Sequence, residues 1–209
     1  PTELFVGGAV THLALGDFDT DGDVDLAATD DGSTVFIYKN DGVGSFGAPQ
    51  TASGLTSPTG LRVGDFTGDG IDDLLLSGTG NRARLLRNQG NATFTSLTDV
   101  DFSSTPQALT TGDYDIDGDL DFSVSLDDAS VVVYANRGDG TFGDSLVYAR
   151  ADTMTSLRSV DLDQDGYLDL FVPSGNGSID VLVNDANGRF DSVRVVGSQT
   201  GIGAGLASD

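Results

Sequence analysis

One acidic motif recurs every 48 residues, and that period limits the fold more than any other feature of the chain. GDFDTDGDVDL at residues 16–26 is followed by GDFTGDGIDDL from Gly64, GDYDIDGDLDF from Gly112 and VDLDQDGYLDL from Val160. The first aspartates, Asp17, Asp65, Asp113 and Asp161, keep the 48-residue spacing without an insertion. A disordered acidic run has no reason to hold a period. Stacked structural units, each burying its apolar face against the next, do.

The rest of the unit repeats in phase. Asn40, Asn88, Asn136 and Asn184 form one set; Phe46, Phe94, Phe142 and Phe190 a second; Leu13, Leu61, Leu109 and Leu157 a third, just before the acidic loops. Sequence phase divides the chain into units 1–48, 49–96, 97–144 and 145–192, with a partial fifth unit at 193–209. Each unit reads as short Val-, Ile-, Leu-, Phe- and Tyr-rich strands between Gly, Asp and Asn turns, such as HLAL, VDLAAT and TVFIYKN in the first. No segment shows a sustained helical spacing of apolar residues with caps. The expected fold is therefore all-β: a β-propeller, or part of one, built from four-stranded blades of about 48 residues. A β-sandwich leaves the period unexplained.

Composition removes several classes of function. The net charge is −23, from 33 acidic and 10 basic residues, which argues against nucleic acid or an anionic membrane surface as a partner. No apolar run is long enough to span a membrane. With no cysteine and a single histidine, His12, disulfides, thiolate metal sites and nucleophilic or zinc chemistry have little to work with. The expectation is a protein that is not an enzyme.

The acidic loops carry the chemistry. Aspartates ~5 Å apart at an effective dielectric near 20 repel by on the order of 3 kcal/mol per pair, so a cation is expected among them. Calcium takes six to eight oxygens, and alternate residues of a tight loop can supply them. In the first loop Asp17, Asp19 and Asp21 offer side-chain oxygens, Asp23 its backbone carbonyl and Asp25 a bidentate carboxylate. The same roles fall to Asp65, Thr67, Asp69, Ile71 and Asp73 in the second loop and to Asp113, Asp115, Asp117, Asp119 and Asp121 in the third. In the fourth they fall to Asp161, Asp163, Asp165, Tyr167 and Asp169. Gly22, Gly70, Gly118 and Gly166 stand where the chain turns, a place for positive φ.

An EF-hand would put its closing glutamate at position 12, where this chain has Ala28, Leu76, Val124 and Val172; here the closing acid is at position 9. Four Ca²⁺ sites are expected, with the second the weakest because Thr67 replaces an aspartate. The side chains of Asp23, Asp72 and Asp119 are expected to face solvent. Val160, where the other loops have glycine, raises a question about backbone geometry in the fourth.

These units resemble FG-GAP repeats, also known as the VCBS type, found in integrin α-subunit propellers and secreted bacterial proteins. Phe46, Gly47, Ala48 and Pro49 match the name almost literally, and Phe142–Gly143 echoes it. The resemblance implies a propeller with a calcium loop between the first two strands of each blade. It also implies a range of roles: cell adhesion, carbohydrate recognition in related lectins, and accessory domains of secreted enzymes. The leading expectation is a secreted or cell-surface, calcium-binding recognition or adhesion module with a glycan or protein ligand. The alternatives are a structural subunit of an extracellular fibre or surface assembly and an accessory domain of a larger secreted enzyme. Tyr38, Tyr134, Tyr148 and the repeated phenylalanines are candidates for stacking on sugar rings, although blade core accounts for most of them. Because residues 193–209 repeat the phase of residues 1–17, the chain is expected to belong to a larger protein or to self-associate through open blade edges.

Overall fold

The computed structural model of the chain describes residues 4, 7–149, 154 and 156–195, the side chains of 191–195 aside. Among these, short apolar runs between tight turns give sixteen strands and no helix. The strands form four antiparallel four-stranded sheets, each a meander in chain order. The first holds β1 (Val10–Gly16), β2 (Asp25–Asp30), β3 (Thr34–Tyr38) and β4 (Gln50–Ser53). The second holds β5 (Pro58–Gly64), β6 (Asp73–Gly78), β7 (Arg82–Asn88) and β8 (Phe94–Asp101). The third holds β9 (Pro106–Gly112), β10 (Asp121–Leu126), β11 (Ser130–Asn136) and β12 (Phe142–Ala149). The fourth holds β13 (Arg158–Val160), β14 (Asp169–Pro173), β15 (Ile179–Asn184) and β16 (Phe190–Val195).

The register repeats with the sequence. Leu15 pairs with Leu26, Val63 with Leu74, Thr111 with Phe122 and Ser159 with Leu170, all 48 residues apart. The acidic loop always joins the first strand of a blade to the second. Strand four of each blade straddles or passes the boundary between phase units, so the blades are offset from those units. Of the partial fifth unit, residues 196–209 lie outside the described residues.

Three apolar layers hold the blades together. Phe18, Ala27, Val35 and Ile37 of the first blade pack on Leu61, Leu74, Leu76 and Leu86 of the second. Phe66, Leu75 and Leu85 meet Leu109, Phe122 and Val124 between the second and third. Tyr114, Val131 and Val133 meet Leu157, Leu170 and Leu182 between the third and fourth. The in-phase leucines show the direction of stacking: Leu61, Leu109 and Leu157 are buried against the preceding blade, while Leu13 is 60% exposed. Leu15 and Val24, on the same leading face of the first blade, are exposed as well. Each buried leucine is worth roughly 1.5–3 kcal/mol.

A polar tie accompanies each layer. Asn88 Nδ2 donates to the Phe18 carbonyl of the preceding blade (2.9 Å) and to the Asp72 carbonyl of its own (3.0 Å). Asn136 does the same with Phe66 and Leu120 (2.8 and 3.1 Å), and Asn184 with Tyr114 and Leu168 (2.7 and 3.1 Å). Asn40 Nδ2 donates to the Val24 carbonyl of its own blade (3.0 Å).

The glycine before each loop is explained by this packing. A Cβ on Gly112 would lie 2.6 Å from Leu168 Cδ1 of the next blade, and one on Gly64 would collide with Leu120. Neither glycine has left-handed φ. Val160 is tolerated because its side chain is 40% exposed, with no following blade against it among the described residues. The question it raised about the fourth loop is thus one of packing.

The ties predict a graded mutational response. Asn136→Ala and Asn184→Ala each remove a donor from one buried and one part-buried carbonyl and are expected to cost about 1–3 kcal/mol. Asn40→Ala, at the leading face, should cost well under half as much. Urea unfolding of the three variants checks this, and equal losses would refute the interblade role.

Candidate metal centres

In all four loops the closing aspartate is buried and tied to the backbone. Asp25, Asp73, Asp121 and Asp169 are at most 1% exposed. One oxygen of each accepts the N–H of the residue after the first aspartate: Phe18 (3.0 Å), Phe66 (3.2 Å), Tyr114 (2.9 Å) and Leu162 (3.0 Å). The other accepts the in-phase asparagine N–H: Asn40, Asn88 and Asn136 at 2.8 Å and Asn184 at 2.9 Å. This revises the expected role. The side chain is first a strut between loop and third strand, and only its remaining lone pairs are free for a cation.

The backbone of the loop is left-handed at two places. Gly22, Gly70, Gly118 and Gly166 have φ between 80 and 94°, as their position in the sequence suggests. Two residues earlier stand Thr20 (62°), Gly68 (68°), Ile116 (60°) and Gln164 (62°). For β-branched Thr20 and Ile116 this conformation costs on the order of 1–3 kcal/mol. It went unseen in the sequence because only Gly68 signals it.

Carboxylates converge in three of the four loops. Asp17, Asp19 and Asp25 bring oxygens within 4.8 Å of one another, as do Asp113, Asp115 and Asp121, and Asp161, Asp163 and Asp169. In these same loops Asp19 Oδ1, Asp113 Oδ1, Asp115 Oδ1 and Asp161 Oδ1 are buried without a hydrogen-bond partner. Buried acceptors of this kind are costly unless something positive completes them. An all-oxygen set with converging negative charge fits a hard divalent cation such as Ca²⁺.

Asp21, Asp117 and Asp165 stand outside the converging sets, where Oδ1 of each accepts the N–H two residues on, at Asp23, Asp119 and Tyr167 (2.9 Å each). In the second loop no three carboxylates of Asp65, Asp69, Asp72 and Asp73 come together, and Thr67 Oγ1 donates to Asp73 Oδ2 (3.1 Å).

The expectation that Asp23, Asp72 and Asp119 face solvent is revised. All three are half-buried. Asp72 Oδ2 accepts the N–H of Asp17 in the preceding blade (3.2 Å), linking one acidic loop to the next. Asp23 and Asp119 lie against Gly42 and Gly138, in the turns after the in-phase asparagines.

Burial shapes the electrostatics. It raises Asp121 to about 7 and Asp73 to about 6, against the lowering effect of their backbone hydrogen bonds. Asp25, Asp115 and Asp163 are raised too, by burial first and by neighbouring aspartates in addition. Lys39 Nζ sits 3.2 Å from Asp19 Oδ2.

The aromatic candidates are buried or half-buried. Tyr38 is buried, Tyr134 stacks on Phe122 at 4.7 Å, and Tyr148 meets Phe190 edge-on at 5.7 Å. Phe94 and Phe190 meet Phe18 and Tyr114 across blade boundaries.

The chain belongs to the FG-GAP-like repeat family, whose profile matches residues 17–76, 65–124 and 113–172. Comparison with curated proteins gives no match. Among solved structures it is similar to an Agrocybe aegerita lectin that recognises non-reducing terminal N-acetylglucosamine. That match has 24% identity and a TM-score of 0.62, covering 88% of this chain and 51% of the lectin. It is also similar to BBS1N in complex with ARL6DN, with 13% identity and a TM-score of 0.63, covering 93% of this chain and 58% of that one. At these identities the likeness is one of fold. The chain spans about half the length of these structures.

The raised aspartates set a pH response for metal-free protein. The folded state holds these protons more tightly than the unfolded chain, whose aspartates titrate near ~3.9, so stability rises as pH falls through this window. Melting temperature in metal-free buffer should therefore climb as pH drops from about 7, the value for Asp121, toward about 6, that for Asp73, and below. A flat or falling curve would show that these groups are not held in the uncharged form by burial.

Proposed function

We propose that this chain is a non-enzymatic recognition or adhesion module of a secreted or cell-surface protein, its blades fastened by calcium. The observation that carries the metal is the convergence of three carboxylates in the first, third and fourth loops, with buried unpartnered oxygens in each. Asp17, Asp19 and Asp25 would hold one ion, Asp113, Asp115 and Asp121 a second, and Asp161, Asp163 and Asp169 a third. The carbonyls of Asp23, Asp119 and Tyr167 are further oxygen donors. The ion supplies positive charge that the net charge of −23 otherwise lacks.

The fold supports recognition, because the lectin and BBS1N structures show two relatives of this architecture engaging a sugar and a protein. A glycan or a protein surface is thus the ligand class. Tyr134 and Tyr148 are half-buried and Phe190 is buried, which favours polar groups over these rings as sugar contacts. A second reading, a subunit of an extracellular assembly, draws support from the exposed leading face of Leu13, Leu15 and Val24. Light scattering on the calcium-loaded chain separates the two, since a monomer at micromolar concentration excludes assembly through this face.

Metal removal is the direct test. For sites with dissociation constants near ~10 μM in ~1 mM calcium, each contributes about 2.7 kcal/mol. Excess chelator should then lower the melting temperature by roughly 15–30 °C, reversibly. An unchanged melting curve would refute calcium as the fastening, and a glycan array on the loaded protein tests the ligand.

A further inference from the structure

We infer that the second loop is closed without a metal ion, its own Arg87 and Thr67 supplying what a cation supplies in the other three. The inference rests on the calcium reading of the first, third and fourth loops. It departs from the sequence expectation of four sites.

The second loop has enough acid for a site. Asp65, Asp69, Asp72 and Asp73 all lie in it, yet no three converge. Each carboxylate is engaged elsewhere. Asp65 Oδ1 accepts the N–H groups of Thr67 (3.2 Å) and Asp69 (3.1 Å), and its Oδ2 that of Gly70 (2.8 Å). The equivalent Asp17 accepts Asp21 N (3.2 Å) and Gly22 N (3.0 Å), whereas Asp113 and Asp161 accept only Gly118 N and Gly166 N at Oδ2 (3.1 Å each), leaving Oδ1 buried and unpartnered. Asp69 Oδ2 is held by Arg87, with Nη2 at 3.0 Å and Nε at 3.3 Å. Asp72 is turned toward Asp17 of the preceding blade. Asp73 keeps its two backbone bonds and gains the Thr67 hydroxyl. No buried unpartnered oxygen remains in this loop, the one loop of the four without such an atom.

Both substitutions act in the same direction. Thr67 stands where Asp19, Asp115 and Asp163 stand, removing one negative charge and placing a hydroxyl hydrogen toward Asp73. Arg87 stands where the third and fourth blades have Ala135 and Val183, adding a positive charge over Asp69. In the first blade the corresponding Lys39 pairs with Asp19, but the cluster there persists and Asp19 Oδ1 stays unpartnered. Gly68 takes the left-handed position filled by strained Thr20, Ile116 and Gln164 elsewhere, so the second loop needs no external force to keep its turn. A loop so satisfied would have to break existing bonds to take an ion.

Two measurements on the full chain decide the matter. Calorimetric calcium titration of metal-stripped protein should give three equivalents, one per converging set. Four equivalents overturn the inference. Thr67→Asp combined with Arg87→Ala should add a fourth, and a folded variant that stays at three also overturns it. Zero equivalents would sink the calcium reading while leaving this loop to the second measurement, hydrogen exchange of unmodified protein in metal-free buffer. There the amides of Asp69 and Gly70 should exchange at least about tenfold more slowly than those of Gly118 and Gly166. Equal rates would show that the second loop is no more self-sufficient than the others.

Discussion

A carboxylate that never reaches solvent organises each blade. Asp25, Asp73, Asp121 and Asp169 each accept one N–H from the entrance of the acidic loop and one from the end of the third strand. Charge-assisted bonds of this kind are about twice as strong as neutral ones, which offsets part of the cost of burying the charge. The remaining cost shows in Asp73 and Asp121, pushed up to about 6 and about 7 by burial. In three of the blades the strut is also a member of the converging carboxylate set.

The strut also reaches the blade interface. In the first three blades the residue whose N–H it holds is Phe18, Phe66 or Tyr114, and the carbonyl of that same residue accepts the asparagine of the next blade. Phe18 and Tyr114 further present their rings to Phe94 and Phe190 of that blade. Loop closure and blade stacking thus share one residue per repeat. Whatever fixes the loop entrance therefore also fixes the group on which the neighbouring blade docks. Asp72, joining the second loop to the first, adds a direct link between two loops.

The architecture was legible because a fixed period of 48 leaves few ways to stack short strands, and the loop composition pointed to the carboxylates that converge in three of the loops. The in-phase asparagines and leucines were visible as sets, but their roles were not. Asn88 bonds across 70 residues of chain, a partnership that no local pattern encodes. The glycines before the loops hid a packing constraint set by Leu120 and Leu168, which lie in the following repeat. Asp72 was misread for a similar reason: its partner is in another blade. The bidentate role given to Asp25 and its equivalents came from ligand spacing alone, which does not reveal that both oxygens are already engaged by the backbone. The candidate rings, which blade core was expected to account for in most cases, are buried or half-buried.

Repetition also explains how one loop can depart from the others without loss of the blade. Stability in stacked repeats is close to a sum of local and nearest-neighbour terms. The terms that build the second blade, the Asp73 strut and the Asn88 tie, are intact. What differs is the source of positive charge near the loop. In the third and fourth blades Ala135 and Val183 leave that place to solvent and ions, while Arg87 occupies it in the second and Lys39 partly does so in the first. A guanidinium on the third strand is fixed in position and always present, whereas an ion comes and goes with its concentration. The second blade is packed between two neighbours, with buried layers on both faces. A permanent charge stands beside this loop, which has no converging carboxylate set, while the loops of the other three blades have one each.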